Sequence, residues 1–415
     1  MAVIQIPDEL VDKGLRDFFR GWKWLNWSSN EIIFDFSQVN YISPWAVTLF
    51  ATYALKLKSE GKIIKLWIDD SRKAGQFLIQ AGIYNILEVE FNLATPPPTN
   101  KLVPLTIISS SIVIPQFTKK VMNLLQIEDE EIEGAVEYSF VELLRNVVQH
   151  SHSPIGGVAM AEYFPSTGLV ELVVADCGIG ILRSLSASYP EIDEDRLALK
   201  FAVMPHVSGT FSQSAYGSMM NNAGLGLFFV KEIATRSSGG FFLGSNTMLM
   251  NLWGNANGTQ GQRLVASNDI GWPGTFAFLQ LRKKNIVDFA GLLAHCRDIA
   301  AKARKDPREF SLDFMDDVPE IEHFISIVVQ DFNENVEQAA VIRDTIVMPA
   351  LINKDLVIWD FTGIRFATQS FIHACMYKIL RDIPYARSYM SFLNCSNATK
   401  EAIKAVAYAE SGKVE

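Results

Sequence analysis

Only four cysteines occur in 415 residues, Cys177, Cys296, Cys375 and Cys395, and no two stand as C-x-x-C. That spacing gives neither a zinc ribbon nor a disulfide framework, so buried free thiols in a reducing compartment are expected. Positive charge is also scarce: 37 Lys and Arg face 46 Asp and Glu, a net charge of −9. Tracking a phosphate backbone needs clustered Lys and Arg, so nucleic acid is not an expected partner. No run of about 18 uninterrupted apolar residues is present, and a membrane helix is not expected. The opening stretch MAVIQIPDELVDKG reaches Asp8 without an apolar core segment. It does not read as a signal peptide, and a cytoplasmic location is expected. Finally, G-x-x-x-x-G-K-[ST] occurs nowhere, which excludes P-loop phosphate chemistry. There is no short-period repeat and no low-complexity tract.

What is present is ordinary globular composition, 49% hydrophobic and 20% charged, in a chain long enough for two or three domains. The first segment, 1–95, reads as a small α/β unit. EIIFDF (31–36) is a strand, and Ser43-Pro44 opens a helix through WAVTLFATYALKLKSEG with Gly61 past its end. KIIKLWID (62–69) is a second strand, and a helix near 71–81 ends at Gly82. Pro96-Pro97-Pro98 can neither continue a helix nor donate to a sheet, which marks a linker or a domain edge. The middle segment, 101–285, holds a strand LVPLTIIS, a helix over 136–150, and strands GVAMAEYF and LVELVVAD. A helix starts near Leu225, two strands lie near 240–253, and TFAFLQL (275–281) is the last strand. In the third segment, 305–415, DLVIWDF (355–361) echoes EIIFDF and ARSYMSFLN (386–394) echoes KIIKLWID. The fold class expected is α/β (α+β) throughout.

Four pieces of the middle segment can carry chemistry. In E-L-L-R-N-V-V-Q-H, Glu142, Asn146 and His150 fall at i, i+4 and i+8 on one helix face. A carboxylate and an amide oxygen suit Mg²⁺, which prefers hard oxygen ligands shared with phosphates. A carboxylate can also orient or deprotonate an attacking hydroxyl. A solvated polar stripe is the plain alternative. In V-V-A-D-C-G-I-G, Asp176 ends an apolar strand, where a carboxylate can accept from the exocyclic amine of adenine. Gly178 and Gly180 allow a tight turn beside a ligand, though a simple strand exit would also need them. In N-A-G-L-G-L-F-F-V-K-E-I-A, Gly224 and Gly226 open an apolar helix whose first N–H groups can face phosphate, or they merely supply loop freedom. Thr275, in Pro273-Gly274-Thr275-Phe276, can bring a hydroxyl to the base or to Asp176, or can be an ordinary strand residue.

The order E-x-x-x-N, D-x-G-x-G, G-L-G-L, G-T-x-F resembles the GHKL (histidine-kinase-like) ATPase family over residues 101–285. The resemblance implies a two-layer α/β sandwich, with ATP between a mixed sheet and helices under a mobile lid. It also implies Glu142 as the catalytic or water-orienting acid and Asn146 as the Mg²⁺ ligand. Asp176 would bind adenine with Gly178 and Gly180 beside it, Gly224 and Gly226 would contact phosphates, and Thr275 would support the adenine pocket. His150 matches a position that is often His in the kinase-like branches. One departure stands out. The lid segment 205–223, PHVSGTFSQSAYGSMMNNA, has no Lys or Arg to assist at the γ-phosphate, and Lys231 is a candidate substitute.

The two ends of the chain resemble STAS domains, the fold of anti-sigma-factor antagonists. By that pattern Trp45 stands at the phosphoacceptor position of the first, with Ser43 near it. Ser370 stands at the acceptor-like position of the second, with Thr368 as helix N-cap. None of the six histidines sits in a helical hairpin ahead of the ATP domain, so histidine autophosphorylation is not expected. The function expected is that of a cytoplasmic ATP-binding regulatory protein, a Ser/Thr kinase of the anti-sigma-kinase type acting on STAS-like domains. Partners would be ATP, with Mg²⁺, and a protein partner or a second copy. A slow ATP-driven clamp and a non-enzymatic nucleotide-sensing scaffold are the alternatives.

Overall fold

The computed structural model describes residues 1–7, 9–10, 28–90, 100–127, 130–187, 189–190, 192–205, 207, 226–255, 260–266, 271–285, 312–318, 323–332, 335–364, 367–383 and 385–411. Helices and sheets alternate in a mixed α/β arrangement. The chain divides into two compact units, one of residues 1–203, 208–260 and 266–297, the other of 204–207, 261–265 and 298–415. Residues 1–95 and 101–203 thus fall in one unit.

The first unit begins with β1 (Ala2–Gln5), β2 (Glu9–Leu10), β3 (Glu31–Asp35) and β4 (Tyr41–Ile42). Helix α1 (Pro44–Ser59) follows, then β5 (Ile63–Trp67), α2 (Lys73–Gln80) and α3 (Ile83–Leu87). Strands β1, β3 and β5 form a parallel sheet with β3 in the centre. Pro44 occupies the first turn of α1, where its missing N–H costs nothing. Ser43 precedes it, is buried, and makes no side-chain cap. Gly61, at φ +83, carries the chain out of the helix in a left-handed conformation. The helix WAVTLFATYAL has no polar face over its first three turns, and it is buried on all sides from Pro44 to Ala54. Its two threonines, Thr48 and Thr52, satisfy their hydroxyls on the carbonyls of Pro44 and Thr48, at 2.8 and 2.7 Å.

Next come β6 (Leu102–Ile108), α4 (Val113–Leu125), α5 (Glu130–His150), β7 (Gly157–Phe164) and β8 (Leu169–Asp176). Then follow α6 (Gly180–Ser186), α7 (Asp195–Ala202), α8 (Gly226–Arg236), β9 (Gly240–Asn246), β10 (Met248–Gly254) and β12 (Trp272–Arg282); β11 (Gln260–Ala266), between β10 and β12 in the chain, has its residues 261–265 in the second unit. Helices α4, α6 and α7 and strand β11 go beyond the elements read from the sequence. Six strands of this unit are neighbours in the order β10-β9-β12-β8-β7-β6. The pairings β6·β7, β7·β8, β8·β12, β9·β12 and β9·β10 are all antiparallel, where the family resemblance implied a mixed sheet.

Both faces of this sheet are covered. Gly157 lies opposite Asp176, and a Cβ on Gly157 would meet Val147 of α5 at 2.7 Å. The face carrying Gly157 and Asp176 is therefore the α5 face. Ala175 and its partner Phe276 point the other way. Phe276 packs edge-on to Trp272, and Trp272 lies against Tyr53 of α1. Helix α1 thus backs the sheet opposite α5, with Phe34 and Phe36 against Phe50 on its far side. This explains why LVELVVAD is buried from Val170 to Asp176 without alternation.

In the second unit β13 (Asp313–Met315), β14 (Ile325–Val328), β15 (Val357–Asp360) and β16 (Met390–Leu393) form a parallel sheet in the order β13-β16-β15-β14. Helices α9 (Val336–Ile342), α10 (Met348–Ile352), α11 (Gln369–Asp382) and α12 (Asn397–Ser411) complete it. Trp359, Phe371, Phe392 and Phe332 lie in its core. The echo seen in the sequence is local structure as well. Asp35 Oδ1 accepts from the Ser37 amide at 2.9 Å, and Asp360 Oδ1 accepts from the Thr362 amide at 2.8 Å. Each strand ends in the same side-chain turn. Thr368 caps α11 by accepting from the Phe371 amide at 3.3 Å, and Ser370 is the second residue of that helix.

Among the described residues no helix is long and apolar enough to cross a membrane. Cys177, Cys375 and Cys395 are free and buried, and Cys296 lies outside the described residues.

Candidate functional site

Strand β8 ends on Asp176, which is 4% exposed. Its Oδ1 accepts the Gly178 amide at 2.8 Å and the Thr275 amide at 3.3 Å. Burial nevertheless pushes this carboxyl up from 3.8 to about 7, against the pull of those two bonds. Thr275 therefore reaches Asp176 as anticipated, but through its backbone N–H. The approach requires Gly274. At φ +119 it takes a backbone conformation that other residues avoid, and a Cβ there would sit 2.4 Å from the Asp176 carbonyl oxygen.

The glycines of D-C-G-I-G have packing reasons. A Cβ on Gly178 would lie 1.8 Å from the Ser151 carbonyl oxygen, which also accepts the Ile179 amide at 2.8 Å. Ser151 follows His150 directly, so the end of α5 is fastened to the Asp176 turn. Gly180 has φ +74, and a Cβ there would lie 2.9 Å from Ser245 Oγ. Ser245, fully buried in β9, accepts from the Ile181 amide at 2.9 Å and donates to the Gly274 carbonyl at 2.9 Å. One hydroxyl thus joins the start of α6 to the turn before Thr275.

On α5, Glu142 is largely buried and pairs with Arg145 at 3.2 Å. Burial raises its pKa, and Arg145 opposes part of that rise. A Cβ on Gly226 would lie 2.3 Å from Glu142 Oε2, so the first residue of α8 sits directly on this carboxylate. The Asn146 Nδ2 is buried and makes no hydrogen bond. Such a donor suits a polar ligand. His150 is half-buried, and burial, with His152 adjoining, lowers its pKa, which favours the neutral imidazole.

The fold therefore brings together Glu142 with Gly226, the end of α5 with Gly178, and Asp176 with Gly274 and Thr275. Gly224 and residues 208–223 of the lid segment lie outside the described residues. Lys231, the candidate basic substitute, pairs with Glu232 at 3.0 Å and lies 4.9 Å from the centre of the Phe228 ring. Sequence reasoning missed Ser151, Ser245 and Trp272. Trp272 donates from Nε1 to the Asp176 carbonyl at 3.0 Å. Nothing in the periodicity of either strand signals these contacts, because each joins residues far apart in the chain.

Among the described residues no group of three or more His, Cys, Asp or Glu side chains could hold a metal ion by itself. No family model, curated protein or solved structure matches the chain.

Proposed function

We propose that the first unit binds ATP in the manner of the GHKL family, with Asp176 taking the exocyclic amine of adenine and the start of α8 facing the phosphates. The observation that carries this reading is convergence. Motifs at 142–150, 176–180, 226 and 274–275, separated by up to about 130 residues in sequence, are joined in the fold, Glu142 to Gly226 directly, Asp176 to Thr275 directly, and the 142–150 helix to the 176–180 turn through Ser151 at its end. A carboxylate held at the end of a buried strand by two amides is positioned to choose a base by its hydrogen-bonding edge. The residues fit a magnesium nucleotide. Asn146 has a buried amide with an unmet donor, and its carboxamide oxygen, with the nucleotide phosphates, would hold Mg²⁺, which supplies neutralisation of phosphate charge. Calorimetry with Mg-ATP tests this, comparing the wild type with Asp176→Asn. Absence of binding by the wild type overturns the reading.

The cellular role that follows is regulatory. In its most concrete form the ATP unit transfers the γ-phosphoryl group to a Ser or Thr hydroxyl of a STAS-like segment, its own or a partner's. The hydroxyl oxygen bonds to phosphorus, the bond from phosphorus to the β–γ bridging oxygen breaks, and Glu142 takes the hydroxyl proton. Ser370, at the head of α11, is the acceptor this reading favours; Ser43 is buried at the head of α1. Label transferred from γ-labelled ATP to protein, and lost in Asn146→Ala, supports the kinase form. No label in this chain or a partner sinks it.

The seat of Glu142 favours a second reading, a slow ATP-driven clamp without protein phosphorylation. Burial raises its pKa toward that of a usable base. In that case phosphate release rises with protein concentration per molecule and vanishes in Glu142→Gln. A rate indifferent to that substitution removes this reading.

A further inference from the structure

Helix α1 belongs by sequence to the N-terminal segment, yet one of its side chains packs against the tryptophan that bonds the residue proposed to read the base. Tyr53 is 3% exposed, and its ring lies 6.2 Å from that of Trp272, tilted by 47°. Trp272 is fully buried and donates to the Asp176 carbonyl oxygen at 3.0 Å. Trp272 and Thr275 flank an irregularity in the pairing of β12 with β9. Trp272 lies opposite Asn246 and Thr275 opposite Ser245, so two residues are looped out between them. The two ends of that bulge grip Asp176 at different atoms. Trp272 holds its main-chain oxygen, and the Thr275 amide holds its carboxylate. Phe276 stands edge-on to Trp272 at 6.0 Å. Trp272 thus has an aromatic ring on the α1 side and one in its own strand. Lys56, one turn on from Tyr53, lies 5.7 Å from the centre of the Tyr53 ring on the same helix.

We propose that Tyr53 and Trp272 are positioning residues for the base-reading carboxylate of Asp176, so that α1 sets the selectivity of the nucleotide pocket for adenine. The proposal rests on the ATP reading of the same pocket. The physical content is simple. A carboxylate chooses between an amine and a carbonyl on the ring edge only while its direction is fixed. Three bonds fix it: the Gly178 and Thr275 amides hold the carboxylate, and the Trp272 indole holds the main-chain oxygen on the other side of the α-carbon. Loosening the main-chain bond lets the residue turn, and a misdirected carboxylate loses its preference for the amine over the carbonyl of guanine.

Two substitutions and one control test this. Trp272→Phe keeps an aromatic ring against Tyr53 and removes the Nε1–H donor. Tyr53→Leu removes the ring that backs Trp272, and Tyr53→Phe keeps it. Affinities for Mg-ATP and Mg-GTP are measured by calorimetry on the full chain, with urea midpoints alongside. Trp272→Phe and Tyr53→Leu are expected to weaken ATP by about three- to tenfold, the scale of one lost neutral hydrogen bond, and to narrow the ATP-to-GTP ratio. Tyr53→Phe is expected to keep both values. A merely structural role lowers the urea midpoint and leaves the ratio of the folded protein unchanged. Folded variants with both affinities within twofold of the wild type overturn the proposal and leave the ATP reading intact. A wild type that binds neither nucleotide overturns both.

Should neither variant fold, hydrogen exchange on the wild type decides. Saturating Mg-ATP is expected to slow exchange in 49–57 of α1 together with 169–181, and Mg-GTP to do so less. Protection of 169–181 with α1 unchanged overturns the proposal.

Discussion

Asp176→Asn is expected to stabilise the protein, and under the proposed ATP reading to abolish ATP binding, and the stability effect should depend on pH in a calculable way. The native carboxyl holds its proton up to about pH 7, whereas an ordinary aspartate releases it near 3.8. Between those values the native state binds more protons than the unfolded chain, so stability falls as pH rises through that window. The gap from 3.8 to about 7, at about 1.4 kcal/mol per pH unit, amounts to about 4 kcal/mol, fully developed above pH 7. Asparagine has the same shape and no charge, and its oxygen can still accept from the Gly178 and Thr275 amides. Wild type and Asp176→Asn should therefore be equally stable near pH 4. The variant should be more stable by up to about 4 kcal/mol at pH 8, a rise of up to roughly 7 °C in melting temperature for a unit of this size. Urea or thermal denaturation at intervals from pH 4 to 8 measures this directly. Glu162, which burial also raises to about 7, is common to both proteins and drops out of the difference. A stability difference that stays constant across pH refutes the account of Asp176 as a carboxyl buried against its own ionisation.

Other outcomes follow from the glycine and serine contacts. Gly178→Ala drives a Cβ into the Ser151 main-chain oxygen, which cannot turn aside, and should cost about 3 kcal/mol or more in urea denaturation. Gly226→Ala meets the movable end of the Glu142 side chain instead, so its stability cost should stay near 1 kcal/mol or below while turnover that depends on Glu142 is lost. Equal destabilisation by the two substitutions would contradict these packing assignments. Ser245→Ala leaves the Ile181 amide and the Gly274 carbonyl without their shared partner, an expected loss of about 2 kcal/mol by the same assay.

The local chemistry of the candidate site is legible in the amino-acid order. Glu142, Asn146 and His150 share a helix face because 3.6 residues per turn puts them there. Asp176 has to end a strand because an apolar run stops on it. The caps at Pro44, Gly61 and Thr368 are local signals as well, and each stands where its residue type suggests. The antiparallel pairing of the sheet is not legible, since strand direction depends on connections and not on strand composition.

Two elements show where sequence stops. WAVTLFATYAL reads as a helix, and its lack of a polar face says that it is buried. Only the tertiary structure places it between Phe34 and Phe36 on one side and Trp272 on the other. Trp272 lies three residues ahead of the strand read at 275–281, and its bond to the Asp176 carbonyl spans 96 positions. Periodicity reports which face of an element is covered, because that depends on neighbours three or four residues away. It cannot report what covers it, because that partner is chosen by loop closure and packing over the whole chain. Glu142, Asn146 and Asp176 are thus legible from the order of residues along the chain, whereas the packing of Tyr53 of α1 against Trp272 is a product of the folded chain alone.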